Sequence, residues 1–334
     1  MKRPLSILGA TAAVLLLMFG IYRVTRPQSA LMSPEEAQAE LETLGGRFTA
    51  AIQNKRDVTP LLEPVRLIVA QHPRSRDGQT LLGQIYLELE NPEKAYDALA
   101  TALSIDPQGA QLQNLAGTAA MMLDEVTAGE SHHRLAVQQE PDNPELLLPL
   151  ADVLIKTARW DEARDILLRS LELDLTQHAP HAAMSDVFVG RGQEGDSTLA
   201  IEHMEKALAK LPLTEEWAED RVIYARKLAR LFADRDEPIE AVAVLDSLSD
   251  AARFSPEVLA DMAGYLDANG QTALAGLQYE MALAERPAEA RYAAEAARWY
   301  LAGGDASAAR AMLERLEGIA PDHPAITKLR AALP

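Results

Sequence analysis

The chain has 334 residues, 48% of them hydrophobic but only 5% aromatic, and a formal net charge of −18. The length exceeds what one core usually spans, and abundant alanine with few aromatics points to many small helix–helix contacts rather than one large aromatic core. The acidic balance argues against nucleic acid as a partner, and the absence of Cys excludes disulfides, thiolate metal sites, thiol nucleophiles and a lipid-modified Cys.

The first 26 residues contain a run from Pro4 to Tyr22 without a charge, flanked by Lys2, Arg3, Arg23 and Arg26. A helix of that length just spans a bilayer, with Tyr22 and the arginines suited to the interface. A cleaved secretory signal is the alternative, but Ile21, Tyr22, Arg23 and Val24 stand where small residues should mark a cleavage site. The expectation is therefore an uncleaved transmembrane anchor over residues 1–26. The basic charges on its two sides nearly balance. The short basic tail is easier to retain than a domain of some 300 residues, so the N-terminus is expected inside and the bulk outside the cytoplasm. In a bacterium that is the inner membrane with the domain in the periplasm.

Residues 27–41 form a polar tether and the start of a helix. Ser33-Pro34-Glu35-Glu36 supplies a capping serine, a first-turn proline and an acid three residues after the cap. Further on, Asn91 and Pro92 open a helix that carries Ala95, Leu99 and Ala102 on one face and stops before Pro107. Asn143-Pro144-Glu145 and Ser255-Pro256-Glu257 read as further helix starts. Asn269-Gly270 and Gly303-Gly304-Asp305 read as turns, and residues 190–196 (GRGQEGD) as an expanded turn.

A longer period organises these elements. Pro73, Pro107 and Pro141 are 34 residues apart, as are Pro287 and Pro321, Ala102 and Ala136, and Ala275 and Ala309. Between Pro141 and Pro287 there is room for four units of slightly stretched length. Leu82-Gly83-x2-Tyr86, then Ala95-x3-Leu99-x2-Ala102, then Pro107 resembles the tetratricopeptide repeat, a 34-residue helix–turn–helix unit, with Gln79 in place of its leading tryptophan. The resemblance implies an all-α, right-handed solenoid of about eight repeats over residues 42–322, closed by a capping helix in 323–334. An unrelated helical bundle would have no reason to keep the phase. Two units depart from the pattern: Thr49 and Leu61 stand where small residues are expected, and Gly129 and His133 replace an alanine and a bulky apolar residue.

No nucleotide loop, metalloprotease helix or nucleophile elbow is present. Adjacent His132 and His133 would point about 100° apart on a helix, and neither they nor His178 and His181 have a matching third ligand, so no metal or other cofactor is expected. With nearly all the chain assigned to repeats, no segment is left for a catalytic domain, and an enzyme would have to build its site on the repeat surface. The resemblance implies instead a protein–protein interaction scaffold whose first helices line a concave groove for a partner peptide or protein. Tethered by one span, it would serve the assembly of an envelope or secretion complex. A structural spacer or oligomerisation module is the alternative.

In phase with the prolines, the groove positions are Gln84, Asn114, Thr118, Met121 and Met122 in the N-terminal half, and Arg226, Arg230, Arg291 and Arg298 in the C-terminal half. Arginines four or seven residues apart share a helix face. Four of them on one face of an acidic protein would suit a carboxylate-bearing peptide or an acidic polymer. The competing reading is that each arginine pairs with a neighbouring acid and only solvates the surface.

Overall fold

The computed structural model describes residues 31–334. Among them are eighteen α-helices and no strand. The expected anchor at residues 4–22 lies outside the described residues, and within them no helix is long and apolar enough to cross a membrane.

The chain divides into two compact units, the first ending at Gln139 and the second spanning Glu140–Pro334. The first contains three helix pairs: α1 (Pro34–Gln53) with α2 (Thr59–Gln71), α3 (Arg76–Glu88) with α4 (Pro92–Ile105), and α5 (Ala110–Met122) with α6 (Val126–Gln139). The second contains five: α7 (Leu147–Lys156) with α8 (Trp160–Leu173), α9 (Ala179–Arg191) with α10 (Asp196–Lys210), α11 (Ala218–Asp234) with α12 (Pro238–Asp246), α14 (Pro256–Ala268) with α15 (Thr272–Glu285), and α16 (Ala290–Ala302) with α17 (Ala306–Ile319). A four-residue helix, α13 (Asp250–Arg253), precedes α14, and α18 (Ala325–Ala332) packs on the last pair.

The local signals act as their chemistry requires. Ser33 accepts from the Glu36 amide while Glu36 returns a bond to the Ser33 amide, a complete capping box. Asn91 caps α4, and Asn143 caps a 3-10 turn that leads into α7. The entry to α1 is also tied down from a distance: Gln71 Oε1 accepts from the Met32 amide at 2.8 Å, and the Met32 carbonyl lies 3.1 Å from His72 Nε2. Gln79, standing where the repeat has tryptophan, donates to the Pro73 carbonyl at 2.9 Å. One repeat later Gln113 does the same to Pro107 at 3.2 Å. Hydrogen bonding thus replaces aromatic packing at that position.

The short turn inside each pair reverses the chain through one left-handed residue. Glu90, Asp124, Ala158 and Gly192 take this conformation at 34-residue intervals, and so do Asp236, Gly270 and Gly304. The interval from Gly192 to Asp236 is 44 residues. The extra length expected to be spread over four stretched units is therefore one interruption, confined to the turn after α9, the 3-10 segment Glu215–Trp217 and the 17-residue α11.

Packing inside the pairs depends on small residues. Ala95, Ala102, Ala163, Ala241, Ala275 and Ala282 are all fully buried. At Gly83 a side-chain carbon would lie 2.6 Å from Leu99, so the glycine lets α3 and α4 close on that leucine. Leu99 itself is fully buried, a burial worth about 1.5–3 kcal/mol. The departures at Gly129 and His133 belong together. His133 is 2% exposed and its ring fills the space left by Gly117, while Met121 fills the space left by Gly129. A large imidazole and a methionine are thus seated by glycines on the facing helix.

Candidate functional site

The left-handed residues give an internal ruler. Six positions before each one, on the first helix of its pair, stand Gln84, Thr118, Asp152 and Asp186, and after the interruption Arg230, Gly264 and Arg298. Gln84, Thr118, Arg230 and Arg298 are four of the residues expected from the sequence. Asp152 and Asp186 were missed, although the 34-residue count from Thr118 leads directly to them.

Three clefts open between the first helices of neighbouring pairs, each within one unit. The cleft between α1 and α3, about 250 Å³, is lined by Gln38, Glu42, Asp77, Thr80 and Gln84, and Gln38 bridges it by donating to Asp77 at 3.0 Å. A second, about 310 Å³, lies between α9 and α11 and carries Asp186, Lys227, Arg230 and Asp234 over Val189, Met204 and Leu231. The third, also about 310 Å³, lies between α14 and α16 and contains Arg291, Glu295, Arg298 and Trp299, with Tyr279 reaching in from α15.

The remaining N-terminal candidates are engaged in their own pair. Asn114 Oδ1 accepts from His133 Nδ1 at 2.9 Å, and Thr118 donates to the Asn114 carbonyl. Met121 is packed at Gly129, and Met122 is 44% exposed. Beside them, His132 Nδ1 donates to Gln113 Oε1 at 2.6 Å and its Nε2 accepts from Tyr96 at 3.2 Å. Burial and the neighbouring His132 lower the His133 pKa to about 4, and burial lowers that of His132 as well. These histidines are neutral, hydrogen-bonded packing groups at pH 7. In the second unit His181 Nδ1 meets His203 Nδ1 at 3.1 Å, and His178 Nδ1 meets the Tyr224 hydroxyl at 3.1 Å. Among the described residues no three metal-capable side chains gather.

The arginines do not converge on one point. Arg226 pairs with Asp261 at 2.6 Å, Arg230 approaches Asp234 at 3.9 Å, Arg291 approaches Glu289 at 3.5 Å, and Arg298 holds Glu295 at 2.7 Å. Lys227 pairs with Asp186 across the second cleft at 3.0 Å. Asp152 has no hydrogen bond or salt bridge among the described residues. Solvent reaches it, yet surrounding protein and the repulsion of Asp186 raise its pKa to about 6 against the attraction of Lys227. A carboxylate that is accessible and still poorly solvated sits on a recessed surface.

Residues 77–108 and 123–187 match models of the tetratricopeptide repeat. The chain carries tetratricopeptide repeats. The other helix pairs keep the same helix–turn–helix form, most at the same spacing. Over 236 residues the chain is 24% identical to cellulose synthase operon protein C of Pseudomonas fluorescens, an alignment that covers 65% of this chain and 18% of that protein. Over 243 residues it is 25% identical to tetratricopeptide repeat protein 21B of Mus musculus, covering 72% and 17%. The chain thus spans less than a fifth of the length of these curated relatives. Among solved structures, the Pseudomonas aeruginosa pilF protein aligns with a TM-score of 0.46 at 20% identity, over 77% of this chain and 96% of that one. YrrB, a TPR protein with an unusual peptide-binding site, aligns with a TM-score of 0.40 at 18% identity, over 60% and 97%.

Proposed function

We propose that this repeat protein is a membrane-anchored interaction scaffold that binds an extended segment of a partner protein along its first-helix face. The observation that carries this reading is the set of recessed clefts between successive first helices, lined by side chains that the packing of the pairs does not use. The small buried residues hold the helices together. The residues six positions before each left-handed turn are left free to vary, and they change from neutral to charged along the chain. Such a surface selects a partner by side-chain pattern rather than by catalysis. The N-terminal span at residues 4–22 would hold the scaffold at a bilayer, outside the cytoplasm, for the assembly of an envelope complex.

Both parts can be tested in the full chain. A photo-crosslinking amino acid placed at Asp152 or Arg298 is expected to capture one discrete partner in cells, whereas placement at exposed Leu168 or Leu277 on second helices is not. Equal capture from both faces, or none from the first helices, removes the groove reading. For the anchor, protease added to intact spheroplasts is expected to digest the repeats while the mature chain keeps its first 26 residues. A shortened mature chain removes it.

A further inference from the structure

The third cleft differs from the other two in its balance of donors and acceptors. In the second cleft two acids, Asp186 and Asp234, face two cations, Lys227 and Arg230. In the third, Glu295 is the one acid among the lining residues, and it already accepts from both Nε and Nη2 of Arg298 through a single oxygen, at 2.8 and 2.7 Å. Arg291 is half exposed and reaches its acid only at 3.5 Å. Two neutral donors lack partners as well. The Tyr279 side chain is 5% exposed and lines the cleft, and its hydroxyl has no hydrogen bond among the described residues. Tyr292, beside it, shows the contrast by donating to the Phe254 carbonyl at 2.8 Å. The Trp299 indole nitrogen is closed off from solvent and has no acceptor.

The walls are apolar. Pro256 and Ala260 form one side, and the rings of Tyr292 and Trp299 support Arg291 and Arg298 at 5.5 and 4.5 Å from their centroids. Stacking on a ring holds a guanidinium in place and leaves its edge N–H groups directed outward.

We infer that the cleft between α14 and α16 is a carboxylate subsite of the partner groove, in which Arg291, Arg298 and the Tyr279 hydroxyl bind one acidic group of the partner chain. The inference rests on the peptide-binding reading above and narrows it to one place and one chemistry. A carboxylate supplies the two acceptor oxygens that the donors lack, in a pocket of about 310 Å³ that takes one side chain or one chain end. Arg226 and Arg230 are not part of this subsite. Arg226 is held by Asp261, and Arg230 belongs to the charge-balanced cleft. The acidic group can come from an internal Asp or Glu or from a chain terminus, and the experiment separates the two.

The test uses the full chain in detergent and three sets of fluorescein-labelled decapeptides with Ala, Leu and Pro flanks. One set carries a central Glu with both ends blocked, the second carries Gln at that place, and the third carries no internal acid but a free C-terminal carboxylate. Binding is read by anisotropy. At least one acid-bearing set is expected to bind about tenfold more tightly than the Gln set. That advantage should fall to less than about threefold in Arg291→Gln/Arg298→Gln and be reduced in Tyr279→Phe, but persist in Arg226→Gln/Arg230→Gln. Thermal unfolding checks that each variant is folded, and the two arginines are exposed enough to be replaced without disturbing the core. Preference for the internal acid or for the free terminus identifies the source. Equal binding of Glu and Gln peptides, no binding by either acid-bearing set, or an advantage that survives loss of Arg291 and Arg298 overturns the subsite. If photo-crosslinking from Asp152 still captures a partner in that case, the groove reading stands and only the carboxylate assignment falls. If both experiments fail, the two fall together.

Discussion

The two units use one repeat to present two different surfaces. In the unit ending at Gln139 the first helices carry neutral groups, and those groups satisfy one another. Asn114 is bonded to His133, Gln113 to His132 and to the Pro107 carbonyl, and Gln38 spans the first cleft to Asp77. In the unit from Glu140 to Pro334 the same faces carry Asp152, Asp186, Arg230 and Arg298, and their partners come from the next repeat or from the next turn of helix. Packing does not explain the difference, since Ala102 and Ala282 occupy the same place in their pairs and both are fully buried. A repeat therefore separates two tasks. Second-helix alanines and glycines fix the spacing of helices, and first-helix positions are released to recognise something else.

The largest expected effect tests the neutral side of the comparison. His133 has its pKa lowered to about 4 in the folded state, below the 6.5 of a free histidine. The unfolded chain therefore binds more protons between those values. The stability that neutral His133 contributes is complete above pH 6.5 and is lost as pH falls toward 4, by up to about 3 kcal/mol. Denaturant midpoints measured from pH 7 to pH 4 should fall, and His133→Gln should flatten that slope. A variant with the wild-type slope would show that the buried imidazole is not the acid-sensitive group of this unit.

The shared packing is tested next. Ala102→Trp and Ala282→Trp should each overpack a closed helix contact and cost about 1–3 kcal/mol, read as a drop in unfolding midpoint. Similar losses mean that the two units rely on the same close approach. A loss in only one means that the repeats differ in packing as well as in surface.

The smallest effect concerns the turns. Ala158 holds a left-handed conformation that Gly192 holds one repeat later. Ala158→Gly should gain about 0.5–1 kcal/mol, because relief of the side-chain clash exceeds the added freedom of the unfolded chain. The same exchange at a helical alanine, such as Ala100, should destabilise. A loss at Ala158 would mean that its turn is not strained.

Much of this protein was legible in the sequence because it is periodic. Prolines and alanines at 34-residue spacing marked where helices stop and where they touch, and Ser33, Asn91 and Asn143 marked where helices start. Each of these residues acts on its own backbone or on a helix a few residues away, so its meaning is local. The turn at Gly192 was legible for the same reason, while those at Glu90, Asp124 and Ala158 were not, since no residue preference announces a left-handed conformation in them. Tertiary structure decided the rest. It joined His133 to Gly117, replaced a missing tryptophan with Gln79 bonded to a carbonyl, and collected the extra residues of the second unit into one interruption. It also divided the four arginines between balanced and unbalanced surroundings, because a charge is defined by the acids within a few ångströms of it. Those acids arrive from other turns and other repeats, and which hydroxyl is left without a partner, as at Tyr279, emerges only when the helices are packed.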